Sequence, residues 1–208
     1  MLGRARRGLA LALGAALGLA CTPAVDAVVR PAMQELRAPL HKIAVMPLRV
    51  SPGLADRSAE DPDAPRVSAQ LVSRYLAEAL EKRGLEVVAP EDVASVLAQA
   101  GSKPAPAVLA ERYCADGVLS GQLERWEERQ GEAVGTFSPA AVAFHVDLRS
   151  APGGSALWSS QFDERQQALG DNVLRAGRYP GGGTRWLTAA ELAQWGAQET
   201  IAALPIGK

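Results

Sequence analysis

Residues 142–167, VAFHVDLRSAPGGSALWSSQFDERQQ, carry the clearest structural pattern in this 208-residue chain. Apolar and polar residues alternate from 142 to 149, and the apolar set is Val142, Phe144, Val146 and Leu148. A period of two is typical of a β-strand with one buried face. Ala-Pro-Gly-Gly at 151–154 predicts a turn, so residues 157–167 return as a second strand.

Large apolar pairs set the expected register of this hairpin. If residues 151–155 form the loop, Leu148 lies opposite Trp158, and Phe144 lies opposite Phe162. Because only one face of the first strand is apolar, we expect an antiparallel arrangement with one face in solvent and one covered by helices.

Several segments have the apolar spacing of helices that could provide that cover. Residues 66–83 place one stripe of apolar side chains on a helix, namely Leu71, Val72, Tyr75, Leu76, Ala79 and Leu80. Shorter helices are predicted over 91–101 and 104–113. Thr188 and Glu191 have the spacing of a capping box, which predicts the start of a last helix.

The remaining apolar runs predict three more strands, at 42–48, 85–88 and 117–126. Residues 51–65 are rich in proline and acidic side chains, which indicates a mobile loop. The sequence therefore predicts an α/β (α+β) fold: one two-layer domain whose mixed or antiparallel sheet is covered on one face by helices.

The amino terminus has the pattern of a secretory signal peptide. Three arginines (Arg4, Arg6 and Arg7) precede residues 8–20, which are all Gly, Ala or Leu. As a helix this apolar run would be about 20 Å long, too short to cross about 30 Å of hydrocarbon comfortably.

Cys21 follows the small residues that end this leader. The stretch Gly18-Leu19-Ala20-Cys21 resembles the lipobox of bacterial lipoproteins, although Gly18 stands where that family usually has Leu. The resemblance implies acylation of Cys21 and, because Thr22 is not Asp, the periplasmic face of the outer membrane. We therefore expect a signal peptide at 1–20, a lipid-anchored tether at 21–41 and one domain at 42–208.

Composition excludes some classes of function. Loss of the leader removes three of the 22 basic residues, which leaves 19 against 23 acidic ones. No basic patch accompanies this balance, so nucleic acid is not expected as a partner. If Cys21 is acylated, Cys114 has no disulfide partner, and we expect it to fill a small apolar gap. The spacing of His, Cys and Asp predicts no metal site and no cofactor.

One polar cluster on the predicted hairpin has two interpretations. His145 and Asp147 share the polar face of the first strand, and Asp163 and Arg165 share that of the second. Ordinary charge pairing between neighbouring strands explains them without catalysis. The alternative is an enzyme acting on cell-wall or polysaccharide substrates, with His145, Asp147 and Asp163 converging in a pocket.

Three stretches also carry a resemblance to a group of envelope lipoproteins. They are KIAVMPL at 42–48, ADGVLSGQL at 115–123 and LWSSQFDE at 157–164. The chain resembles the group of the curli-secretion lipoprotein, the lipoprotein activators of penicillin-binding proteins and the amino-terminal domain of the Tol β-propeller protein. That resemblance implies a non-catalytic domain that binds other envelope proteins.

The leading hypothesis is therefore a non-enzymatic lipoprotein that binds an envelope protein during assembly or export. The contact surface would be the polar sheet face together with the loops 127–138 and 166–186. Aromatic and arginine side chains favour interfaces, so the candidates there are Trp126, Tyr179, Arg185 and Trp186. A second alternative is a homo-oligomer, as a subunit of an export ring.

Overall fold

The computed structural model describes residues 29–33, 40–57, 61, 63–167 and 179–206. The strands are β1 (Val29–Met33), β2 (Lys42–Val45), β3 (Arg49–Val50), β4 (Glu86–Val88), β5 (Gly117–Glu127), β6 (Gln130–Gly131), β7 (Thr136–Ser138), β8 (Ala141–Ser150) and β9 (Ala156–Arg165). The helices are α1 (Pro52–Arg57), α2 (Ala64–Lys82), α3 (Pro90–Leu97), α4 (Ala105–Tyr113) and α5 (Ala189–Ala202).

Seven strands form one mixed sheet, in the order β1-β9-β8-β5-β2-β4, with β3 paired to the end of β5. Strands β6 and β7 form a separate hairpin. The predicted α+β class is confirmed, and of the two predicted sheet types, mixed or antiparallel, the sheet is mixed.

The β8–β9 hairpin has the predicted register. Leu148 lies opposite Trp158, and Phe144 lies opposite Phe162. The two phenylalanine rings stack with centroids 5.1 Å apart, and both side chains are fully buried. Such large apolar pairs fix the register, since a slip of one residue would turn all of them to the solvent face.

The other half of the sheet is parallel. Strand β2 lies between β4 and β5 and runs parallel to both. Its residues Ile43, Ala44 and Val45 are all buried, because both faces of the sheet are covered here. An unbroken apolar run is what a central parallel strand requires.

Helices α2 and α5 cover one face of the sheet and enclose the main core. The apolar stripe of α2 packs into it through Val72, Leu76 and Leu80, which are fully buried. Helix α5 begins with the predicted capping box: the Thr188 side chain accepts from the Glu191 N–H, and the Glu191 carboxylate accepts from the Thr188 N–H. This confirms the start of the last helix.

Helices α3 and α4 pack against the opposite face, but only over the parallel half. They enclose a second, smaller core that contains Ala44, Val88, Val93, Leu109, Ala115 and Val118. The outward face of β8 and β9 is left to the polar side chains. Among the described helices, none has the length and apolar character needed to cross a membrane.

Two segments differ from the expectation. Within the predicted loop 51–65, residues Pro52–Arg57 form helix α1, which buries Leu54 against the core. The Ser51 hydroxyl accepts from the Leu54 N–H and stabilises the first turn. One buried leucine and a local cap are enough to order this part of the segment, although its composition indicated a loop.

Within the predicted tether 21–41, residues Val29–Met33 form β1, which pairs antiparallel with β9. Pro31 argues against a central strand because it has no N–H to donate, but an edge strand tolerates it. The sheet therefore begins inside the stretch expected to be only a connection. The leader 1–20 and Cys21 lie outside the described residues.

Candidate interaction surface

The solvent-facing side of β5, β8 and β9 is the polar face predicted from the alternation. We define this polar face by the side chains of Gln122, Glu124, Arg125, Glu127, Ala141, Ala143, His145, Asp147, Arg149, Ser159, Gln161, Asp163 and Arg165. Its charged groups are substantially exposed: 52% of the Asp163 side chain and 47% of the Arg165 side chain are accessible.

Two ion pairs cross the central strand of this face. The Arg125 guanidinium pairs with Asp163, and the Arg165 guanidinium pairs with Glu127. In each case the residue between them on β8 is an alanine, Ala143 or Ala141. A methyl group is short enough for side chains of β5 and β9 to meet above it. Both alanines are consequently buried although they lie on the solvent side.

A bulge in β5 increases the charge density of the face. Leu123 pairs with Phe144 and Arg125 pairs with Ala143, so Glu124 is the extra residue between them. A bulge of this kind lets two successive side chains emerge on one side. Glu124 thereby reaches His145 Nδ1 at 2.8 Å.

The three residues of the enzyme alternative are not brought together. His145 contacts Glu124, and Asp163 contacts Arg125. Asp163 on β9 lies opposite Ala143 on β8, and Ala143 is four residues from Asp147 on the same strand. The carboxylates of Asp163 and Asp147 are therefore about 13 Å apart along the strand direction. The three predicted residues therefore do not converge in a pocket.

Asp147 differs from the other charges of the polar face. It lies opposite Ser120 on β5 and Ser159 on β9. Within the described part of the chain its carboxylate has no ion pair or side-chain hydrogen bond. It is therefore available to a donor on another molecule.

The segment before α5 is fixed to the end of the sheet by hydrogen bonds that are buried or partly buried. The Gln166 amide accepts from the Leu187 N–H at 2.6 Å and donates to the Arg185 carbonyl at 2.9 Å. The Glu128 carboxylate accepts from the Ala189 N–H at 3.0 Å, where the positive end of the α5 dipole favours an anion. These bonds position Arg185 and Trp186 at the surface beside the end of β9.

Of the four predicted aromatic and arginine contacts, Tyr179 is not on the surface. Its side chain is 4% exposed, its hydroxyl donates to Glu164, and its ring packs against Trp195. Tyr179 is a core residue, so the expectation that it contacts a partner is not supported. Trp126 is half-buried because part of its indole packs on the core.

Arg185 is exposed and Trp186 is half-buried. Both Nη atoms of Arg185 bind Glu191, at 2.7 and 2.9 Å. The Arg185 guanidinium lowers the pKa of the Glu191 carboxyl to about 2. A partner that recruits Arg185 would therefore have to compete with this carboxylate.

The hairpin of residues 130–138 carries a surface feature that the sequence analysis missed. Phe137 is 94% exposed and Val134 is 90% exposed. The hairpin is attached to the domain by the Trp186 N–H, which donates to the Ala133 carbonyl at 2.8 Å. Glycines at 131 and 135 predict a turn, but nothing in the sequence indicates that Phe137 points away from the core.

Cys114 corrects another expectation, since it is exposed and fills no apolar gap. It follows the last residue of α4 and has a left-handed backbone conformation, with φ of 55°. This conformation ends the helix and directs the side chain to solvent. Among the described residues no group of three or more His, Cys, Asp or Glu side chains could hold a metal ion.

Comparison with known proteins identifies relatives by fold only. No protein-family model matches the chain, and no curated protein matches its sequence. Among solved structures, the PelC dodecamer from Paraburkholderia phytofirmans matches with a TM-score of 0.51 and 17% identity, over 86% of this chain and 98% of PelC. At this identity the likeness establishes a shared fold.

Two other matching structures have lower scores. Lipoprotein GNA1162 from Neisseria meningitidis has a TM-score of 0.39 and 19% identity, over 65% of this chain and 88% of the other. The LpoB C-terminal domain from Escherichia coli has a TM-score of 0.29 and 16% identity, over 64% and 88%.

Proposed function

We propose that the protein is a non-enzymatic lipoprotein, acylated at Cys21 and held on the periplasmic face of the outer membrane, that binds another envelope protein during assembly or export. The leader and the lipobox-like stretch support the location. Two or more acyl chains hold a protein on a membrane far more firmly than one. A domain tethered in this way meets its partners by lateral diffusion.

The observation that carries the binding proposal is the open polar face of β5, β8 and β9. Helices cover the other side of these strands, while on this side Asp163, Arg165 and Glu127 remain substantially exposed. Most charges of this face are paired with each other, so its surface is electrically mixed. Asp147 and Arg149 have no ion pair among the described residues, but Arg149 donates to the Gly154 carbonyl, whereas the Asp147 carboxylate has no side-chain hydrogen bond there, so a cationic group opposite Asp147 would be favoured.

Arg185 and Trp186 border this face through the hydrogen bonds of Gln166. Arginine and tryptophan are enriched among residues that dominate binding energy at protein interfaces. We therefore place the centre of the contact between Asp147 and Trp186. The residues proposed to take part are His145, Asp147, Asp163, Arg165, Arg185 and Trp186, whereas Trp126 lies opposite Val142 on the covered side of the sheet.

Photocross-linking in living cells tests this surface. A photoreactive amino acid at Gln161, which is exposed on the polar face, should give one discrete adduct with an envelope protein. The same group at Glu78, exposed on α2 in the opposite layer, should not. Asp147→Arg should weaken the Gln161 adduct without changing the amount of protein. Equal adducts from both positions would contradict the proposal.

A homo-oligomeric export subunit is the second candidate function. It is favoured by one observation: the PelC structure that shares this fold is a dodecamer. The same cross-linking experiment shows which candidate uses the polar face, because an adduct of twice the mass of this chain indicates a second copy bound there. The enzyme alternative has no comparable support, since His145, Asp147 and Asp163 do not converge.

A further inference from the structure

A groove between α3 and α4 lies outside the polar face. Its volume is about 610 Å³. The apolar part of its lining consists of Val96, Ala100 and Val108, which are half-buried. Polar groups supply most of the groove lining, so these three side chains are the part that a protruding apolar group can contact.

The rim of this groove has an excess of positive charge. Lys103 and Glu111 form a loose pair at 3.5 Å, and both are mostly exposed. Arg112, also on the rim, has no ion pair with any residue in the described ranges. The Arg112 guanidinium therefore lies beside the apolar lining and is free to form an ion pair with another molecule.

The hairpin 130–138 has the complementary properties. It presents Phe137 and Val134 almost fully to solvent. Its acidic residue, Glu132, is exposed and has no ion pair within the described part of the chain. The hairpin is held in shape by the Glu132 N–H donating to the Gly135 carbonyl at 2.8 Å and by the Thr136 hydroxyl donating to the Gln130 carbonyl at 2.7 Å.

The two features lie at opposite ends of β5, so one copy cannot join them. Leu109 of α4 packs with Val118 at the start of the strand, and the hairpin follows Glu127 at its end. Ten residue steps separate Gly117 from Glu127, which is roughly 33 Å. An apolar side chain at one end and a groove at the other end make a head-to-tail contact between copies possible.

We propose that the hairpin of one copy inserts Phe137 into the α3–α4 groove of a second copy, with Glu132 beside Arg112. Because the two surfaces differ, a pair of copies still has one free hairpin and one free groove. Further copies can therefore add until a ring closes, or the chain of copies stays open. This contact does not depend on the acylation of Cys21 or on the polar face.

Charge reversal tests the pairing of the two surfaces. In full-length protein in membranes, Arg112→Glu and Glu132→Arg should each lower self-association about tenfold, because like charges then meet. The double variant should return to within about twofold of the parent. Failure of the double variant to recover, with both single variants folded by circular dichroism, would overturn the proposal.

A matched pair of apolar substitutions tests the inserted side chain. Phe137→Ala should lower self-association at least about tenfold, as expected for a residue at the centre of an interface. Val67→Ala is the control, since Val67 is 60% exposed on α2 and away from both surfaces. An equal effect of the two substitutions would overturn the proposal.

Disulfide cross-linking distinguishes head-to-tail from symmetric contact. In a Cys114→Ser background, membranes containing a mixture of Val134→Cys chains, which keep Phe137, and Gln99→Cys chains should give the mixed dimer on oxidation. Each chain alone should not dimerise through its introduced cysteine. A dominant dimer of Val134→Cys with itself would contradict the proposed geometry.

Discussion

Gly196 on α5 packs directly against the ring of Phe162 on β9. A Cβ atom at position 196 would lie 2.6 Å from ring carbons of Phe162, closer than carbon atoms can approach without movement. Phe162 is itself fixed by stacking on Phe144 and by an edge contact with Trp195. The absence of a side chain at 196 therefore sets how closely the helical layer approaches the sheet.

Gly196→Ala should lower the free energy of unfolding by about 1–3 kcal/mol, because the added methyl overpacks a core that cannot move aside. The better helix propensity of alanine offsets only part of this loss. Urea unfolding followed by circular dichroism measures the change. Gly135→Ala is the matched control, since a Cβ there would meet nothing within 4 Å. Equal stability of the Gly196 variant and the parent would show that the layers are not held at this distance.

Arg83 connects the end of α2 to the end of α5. One guanidinium nitrogen donates to the carbonyls of Ile201 and Leu204, each at 2.6 Å. Each carbonyl also accepts from a backbone N–H, Ile201 from Leu204 and Leu204 from Ile206, so Arg83 occupies a second acceptor position at the helix end. Arg83→Ala should therefore cost about 1–3 kcal/mol, as expected for charge-assisted hydrogen bonds to backbone.

Lys82→Ala is the control for this substitution, because Lys82 is the exposed neighbour and makes no such bond. Hydrogen exchange should locate the effect: amides in the last turn of α5 should exchange faster in Arg83→Ala only. A uniform change throughout the protein in both variants would contradict a local role for Arg83.

The Arg185–Glu191 pair predicts sensitivity to acid. The pKa of Glu191 is lowered from 4.5 to about 2, first by the Arg185 hydrogen bonds and also by the Thr188 N–H. A lowered pKa in the folded state stabilises the protein above pH 4.5, and this stability is lost as the pH falls towards 2. Since 37% of the Glu191 side chain is exposed, solvent screening limits the contribution to about 1 kcal/mol.

Glu191→Gln tests this directly, because glutamine keeps the capping geometry without the charge. The variant should be less stable than the parent at pH 7, and the difference should shrink between pH 4.5 and pH 2. Thermal unfolding across this range provides the measurement. A difference that does not depend on pH would show that the carboxylate charge contributes nothing.

The parts of the fold that the sequence predicts best are those set by local periodicity. The alternation in β8, the Phe144–Phe162 pair and the capping box at Thr188 depend on residues close to each other in the chain. Strand β1 was missed because its pairing with β9 depends on residues about 130 positions away. Helix α1 was missed because a single leucine supplies its burial.

The candidate surface was predicted less completely, for a different reason. Alternation places His145 and Asp147 on the polar face correctly, but it does not show the bulge at Glu124 that supplies the partner of His145. Exposure of an aromatic side chain is a tertiary property. Sequence therefore could not separate Tyr179, which is buried, from Phe137, which is exposed.

Acylation of Cys21 is the most direct test of the proposed location, because every partner proposed for the polar face depends on it. Cells fed an alkyne-labelled fatty acid should incorporate the label into the parent protein, which should remain with outer membranes after fractionation. Cys21→Ala should carry no label and should leave the outer-membrane fraction. An unlabelled parent protein that fractionates in the same way as Cys21→Ala would contradict the proposal.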